Sequence, residues 1–275
     1  SFPRQSGNQP ILNIDPQTGD LYVEDDSNYR LKQYGAVYRI AQAGNVLKKW
    51  PPVFFNFWHD VYHGVEVDRH GKIYYVAKAE VDGKARSVSA YNAVRRQVNV
   101  YDADGKLQTK GLLNVDAVRG LQVDDAGNLY VLHRPAERPW DFYLVLSKFP
   151  PAGGAPLWSR RWDGYIGQAQ ATFAPCHCIT SRQHQTLDGR GYLYAAGLHS
   201  VQVIDCATGK LVGEFGSYGN LDCQGQGSKF PHPELPFGTI SALSVWKDRL
   251  FAVDVLNRRI VKCRIVYGQA EKQGP

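Results

Sequence analysis

Cysteine, histidine and cysteine stand in a row at Cys176, His177 and Cys178. On an extended strand the two thiols would point to one side and the imidazole to the other. Two thiolates joined by a histidine from elsewhere, with His63 as the candidate, have the softness to hold zinc or copper. The same cysteines serve equally as one half of a disulfide to Cys206, Cys223 or Cys263, or as small buried thiols. In FFNFWHDVYHG, residues 54–64, aromatic side chains crowd around His59 and His63. They would floor an apolar pocket with a histidine as acid, base or ligand, or plug a channel as plain packing. Arg119, in DAVRGLQV, suits an anionic group or a pairing with Asp116 or Asp60. Thr239 and Ser241 add two hydroxyls. These residues can act together only if the fold gathers them.

The elements that must do so repeat. ILNIDPQTGDLYVED, GVEVDRHGKIYYVAK, GLQVDDAGNLYVLHR, SRQHQTLDGRGYLYAAG and LSVWKDRLFAVDV share a lead-in, a turn and a strand centred on an aliphatic-aromatic pair. Aligned on the turn residues Gly19, Gly71, Gly127, Gly191 and Asp248, they are spaced by 52, 56, 64 and 57 residues. The first four units continue into further strands, and the tips AQAGN, DADGK and CATGK read as hairpin turns where glycine supplies the positive φ. About four strands per unit with little amphipathic helix predicts an all-β chain, a β-propeller of four-stranded antiparallel blades. Five repeats are visible; six blades with one degenerate is the alternative. The last unit lacks an outermost strand, which residues 1–9 would supply if the N-terminus closes the ring.

The last unit, from FGSYGNLDCQGQG through ALSVWKDRLFAVDVLNRRIVKCRI, resembles an NHL repeat, whose Val-Asp-Xaa-Xaa-Asn-Xaa-Arg-Ile stretch falls here on Val253, Asp254, Asn257, Arg259 and Ile260. GLQVDDAGNLYVLHR is similar to the first half of the same repeat. The resemblance implies a single NHL-like propeller over 1–275, as a domain or subunit of a larger assembly. Within that family the peptidyl-hydroxyglycine lyases hold zinc with inner-strand histidines; here two histidine loops and the cysteine stretch would replace that set. Asp254 to Arg259 itself reads as a tight connection in which Asp and Asn cap backbone groups and Arg259 reaches a carboxylate.

In a propeller the residues just before each inner strand converge at one end of the channel. That places His59, His63, Arg119, the Cys176–Cys178 stretch and Ser241 on one face. Long insertions at residues 78–97 and 133–143 interrupt an otherwise regular repeat, a habit of functional faces and equally of disposable surface loops. The Asp-rich turns DPQTGD and VDDAGN resemble calcium loops, but each stands where a hairpin is needed, and turn chemistry suffices. No nucleophile elbow, phosphate loop, dinucleotide fingerprint, haem attachment or EF-hand motif occurs.

The net charge of +6 over 275 residues is dispersed, with isolated arginine doublets, and does not predict a nucleic-acid groove. No apolar run is long enough for a membrane span. With no methionine in the chain, a processed protein or a piece of a longer one is expected, in a secreted or periplasmic setting. The expected function is a scaffold binding a protein or small-molecule ligand on its loop face; the alternative is a metal-dependent enzyme, lyase or hydrolase in type, with zinc or copper at the channel mouth.

Overall fold

The computed structural model describes residues 11–14, 18–25, 36–50, 65–78, 80–81, 84–85, 95–134, 144–162, 185–197, 199–220, 222–223, 233–254 and 256–267. Every regular element among them is a strand. Blade one comprises β1 (Ile11–Ile14), β2 (Leu21–Asp25), β3 (Ala36–Ile40) and β4 (Val46–Trp50), antiparallel in that order. Blade two begins with β5 (Val65–Val67) and β6 (Ile73–Lys78), carries a short side hairpin, β7 (Glu80–Val81) with β8 (Lys84–Ala85), and continues through β9 (Arg95–Tyr101) into β10 (Leu107–Val123).

The strand β10 serves two blades. Its first part pairs with β9 as the outer strand of blade two, and its last part pairs with β11 (Leu129–Arg134) as the inner strand of blade three, with a register shift between Asp116 and Gly120. Blade three is completed by β12 (Leu144–Phe149) and β13 (Trp158–Trp162). Blade four is β14 (Gln185–Leu187), β15 (Tyr192–Ala196), β16 (Val201–Asp205) and β17 (Leu211–Phe215). A short parallel pair, β18 (Ser217–Tyr218) with β19 (Pro236–Phe237), leads to blade five: β20 (Ile240–Trp246), β21 (Arg249–Asp254) and β22 (Arg259–Arg264). The expected five-repeat propeller is therefore present, with three described strands in the last blade. Residues 1–9, assigned to ring closure from sequence, lie outside the described residues.

The core consists of seams between successive blades, because a sheet with two apolar faces must bury both. The aliphatic-aromatic pair of each of the first four repeats supplies the key side chain. Tyr22 packs on Val67, Ile73 and Tyr75 of blade two; Tyr74 joins the seam with Leu121, Leu129 and Val131 of blade three. Tyr130 meets Leu193, Ala195 and Ile204, and Tyr194 meets Ile240, Leu243 and Leu250. Burying each such aromatic contributes roughly 2–3 kcal/mol.

The hairpin tips follow the turn chemistry expected of them. At Asp68, Asp102 and Asp124 the backbone N–H of the aspartate and the carbonyl four residues on close the turn, and the intervening glycine has φ between 75° and 81°. The fifth repeat departs from the expectation that Asp248 takes the glycine's place. Its turn is only two residues long, Trp246 pairing directly with Arg249, and the left-handed residue is Lys247, with φ 56°.

Candidate functional site

Strand direction divides the propeller into two ends. The hairpins joining first to second and third to fourth strands lie at one end. The connections from second to third strands, and from one blade to the next, lie at the other.

At the turn end the polar groups satisfy one another. Asp124 Oδ1 accepts the N–H groups of Ala126 and Asn128 at 3.0 and 2.8 Å, and its Oδ2 accepts Asn128 Nδ2 at 2.9 Å and the Tyr130 hydroxyl at 3.1 Å. Asp68, Asp102 and Asp188 hold their own turns in the same way, each accepting the N–H groups two and four residues on. The Tyr74 hydroxyl donates to Asp68 at 3.4 Å and that of Tyr267 to Asp188 at 2.9 Å. Burial, reinforced by the Asp68 charge, pushes the Tyr74 phenol up to about 12. Phenols held this firmly protonated are not acid-base catalysts at neutral pH. Nor do these carboxylates resemble a calcium site: the aspartate at the head of each turn is already committed to its own turn's donors.

At the connection end, blade five is locked by Asp254. This fully buried carboxylate accepts the N–H groups of Gly238 and Thr239 at 3.0 and 3.1 Å, Asn257 Nδ2 at 2.7 Å and Arg259 Nε at 3.2 Å. Asn257 also donates to the Gly219 carbonyl at 2.8 Å, and Arg259 to that of Pro236. Burial works to raise the Asp254 carboxyl, but its hydrogen bonds from Thr239, Asn257, Gly238 and Arg259 outweigh it and hold it below the usual carboxylate range. The structural turn expected for this stretch is therefore what forms. Ser241 belongs to the same region and donates to the Val253 carbonyl of its own blade at 3.4 Å, while Thr239 Oγ1 donates to the Gly238 carbonyl.

Arg119 lies on β10 within the register shift where that strand passes from blade two to blade three. His59, His63, Cys176, His177 and Cys178 lie outside the described residues. Among the described residues no group of three histidine, cysteine or acidic side chains is placed to hold a metal. Cys206, Cys223 and Cys263 carry free thiols. Burial pushes Cys206 up to about 11, so it stays a protonated core thiol.

Two sets of polar residues escape sequence reasoning. On the connection end of blade four, the His199 ring meets Tyr218 edge-on at 4.8 Å, its Nδ1 buried with no hydrogen-bond partner among the described residues. Tyr218 is exposed, and its hydroxyl accepts from Asn220 Nδ2 at 3.2 Å. The second set is a belt across the inner strands. Glu66, Gln122, Thr186 and Ser244 hold one register position, each opposite the aromatic of its second strand, as does Asn13 in blade one. Gln122 donates to Glu66 at 3.0 Å; the Leu187 N–H donates to Gln122 at 3.3 Å and the Val245 N–H to Thr186 at 3.2 Å. Inner strands are sheet edges, and side chains from the preceding blade cap their outward N–H groups. A polar residue at the same place in all five repeats was the available signal.

No family model matches the sequence, and no curated protein does. Among solved structures, the fold is similar to a chain of a nidogen/laminin complex, 12% identical with a TM-score of 0.57, covering 92% of this chain and 74% of that one. It is also similar to a protein of unknown function from Bacteroides caccae, 12% identical with a TM-score of 0.51, covering 92% and 73%. At this identity the likeness is one of fold, and the class it agrees with is the β-propeller.

Proposed function

We propose that this chain is an NHL-like binding scaffold that takes a protein or other ligand at its connection end, as a domain or subunit of a secreted or periplasmic assembly. The observation that carries the reading is the asymmetry of the two ends. Tight turns whose aspartates are committed to their own hairpins close one end, leaving little chemistry to offer a partner. The strands of the other end are joined by long connections, 26–35, 51–64, 79–94, 135–143 and 163–184, into which the histidines and the cysteine pair fall. Exposed Tyr218 beside His199 adds an aromatic with a polar tip to that end, a residue type enriched at interfaces. The Asp254–Asn257–Arg259 cage supports the NHL-like reading, since it gives that repeat's polar stretch a structural use.

The test is hydrogen exchange on the full chain with and without an extracytoplasmic fraction enriched for proteins it retains. Protection confined to residues 51–64, 79–94, 163–184 and 199–220, with none at the turns of Lys72, Lys106 and Lys210, is the expected result. Protection at the turn end, or no retained protein or ligand, would sink the reading.

A further inference from the structure

The third strands of blades two, three and four are covered: Val98 and Val100, Leu144 and Leu146, and Val201 and Ile204 are all buried. The third strand of blade five is not. Along β22, Arg259, Ile260, Lys262 and Arg264 are exposed and only Val261 and Cys263 half-buried, with Ile260 at 67%. The cause is topological. β9, β12 and β16 each lie between a second and a fourth strand, whereas among the described residues β22 pairs with β21 alone. A row of backbone donors and acceptors therefore faces outward, a template for strand addition.

The chain beyond β22 is led away from that edge. The Ile265 N–H donates to the Asp248 carbonyl at 2.8 Å, the Tyr267 hydroxyl reaches Asp188 of blade four at 2.9 Å, and Arg190 covers the Tyr267 ring at 4.4 Å. A hairpin back along β22 would have to reverse within about two to five residues of its end, where the Tyr267 side chain is held against Asp188 and Arg190 of blade four.

Charge indicates the kind of segment that fits. From Thr239 to Tyr267 the chain carries six cations (Lys247, Arg249, Arg258, Arg259, Lys262 and Arg264) against Asp248 and Asp254. Asp254 is enclosed in its cage, and Asp248 is shared by Arg249 and Arg264 at 3.5 and 3.7 Å. The period of two puts Ile260, Lys262 and Arg264 on one face of β22. We infer that this edge accepts an extended acidic segment of a partner protein as the fourth strand of blade five. Its backbone pairs with β22, an apolar side chain lies opposite Ile260, and carboxylates lie opposite Lys262 and Arg264. The site is on the flank of blade five and does not depend on the connection-end reading.

The probes are two blocked ten-residue peptides, one alternating glutamate with valine and one alternating lysine with valine, titrated into the full chain by fluorescence anisotropy. At low salt the glutamate peptide is expected to bind at least tenfold more tightly than the lysine peptide and to lose most of that advantage in about 0.5 M salt. Lys262→Glu with Arg264→Glu should reverse the preference, while Lys210→Glu on blade four leaves it unchanged. Thermal melts report whether the double variant folds; if it does not, Lys262→Gln alone should weaken the glutamate peptide about threefold. Equal binding of the two peptides, or an unchanged preference in the folded variants, overturns the inference. So does binding that emerges only after residues 1–9 are removed, which would make that segment the occupant. A dimer that the glutamate peptide fails to dissociate would assign the edge to a second copy and overturn it likewise.

Discussion

At the turn end of the propeller, Asp68, Asp102, Asp124 and Asp188 use a carboxylate oxygen to tie down the backbone of their own hairpins. At the connection end, strands are joined by stretches of very unequal length, from none where β10 runs from blade two into blade three, through four residues between Asp254 and Arg259 of blade five, to the 22 residues between Trp162 and Gln185. The comparison separates two duties. Hairpins led by an aspartate form locally and alike in blades two, three and four, so their polar side chains are consumed in forming them. Connections differ in length from blade to blade because no common geometry is demanded of them. Asp254 is the exception at the connection end, a carboxylate used as the turn-end ones are.

The largest test of that comparison is Asp254→Ala. It removes a buried carboxylate from two backbone N–H groups, an amide and a guanidinium, leaving them unpaired, and is expected to cost roughly 3–5 kcal/mol in chemical denaturation. The pH dependence follows from the same cage. With its folded pKa below the unfolded value, Asp254 stabilises the fold fully above about pH 4, and the contribution is lost as pH falls through the folded value. Asp254→Asn should accordingly show a flatter urea midpoint between pH 5 and 3 than the parent chain.

A carboxylate at the turn end should matter less, because its turn stays near water. Asp124→Ala is expected to cost about 1–3 kcal/mol, read from the same denaturation curves. Lys247 offers a change of opposite sign. Its left-handed φ of 56° is strained for a residue with a Cβ, so Lys247→Gly should raise stability by about 1 kcal/mol in urea denaturation. The smallest effect belongs to a connection. Lys78 pairs with Arg96 across β6 and β9, a register that a two-residue hairpin can close. Replacing residues 80–94 by Asn-Gly should therefore shift stability by less than about 1 kcal/mol while weakening partner binding at the connection end. A large loss of stability on that replacement would break the comparison, since it would make the connection part of the frame.

Much of the frame was legible before the structure. The alternating strands, the Gly turns and the aliphatic-aromatic pairs are local patterns, and each formed where its pattern stood; Tyr22, Tyr74, Tyr130 and Tyr194 anchor the four seams. Asp254, Asn257 and Arg259 were legible as a structural turn for the same reason. Legibility failed where strand pairing or a distant partner decides the geometry. Lys247 takes the left-handed position, against the alignment on Asp248, because the pairing of Trp246 with Arg249 sets the turn length. His199 meets Tyr218 only because the second-to-third connection of blade four stands beside the lead-in to blade five. The candidate residues His59, His63 and Cys176 to Cys178 fall in the connections, where sequence specifies no common geometry.

By itself, then, the sequence determined the repeat, the class of fold and the chemistry of the aspartate-led hairpins, because these rest on the two-residue period of a strand and on side chains bonding to their own backbone. Only the tertiary structure decided how blades are joined. The contacts of Gln122 with Glu66, Leu187 with Gln122 and Val245 with Thr186 bridge 56, 65 and 59 residues. Such pairings depend on how one twisted sheet seats against the next. That β22 pairs with β21 alone among the described residues is likewise a property of the assembled blade, since a strand is an edge only when its neighbours are in place.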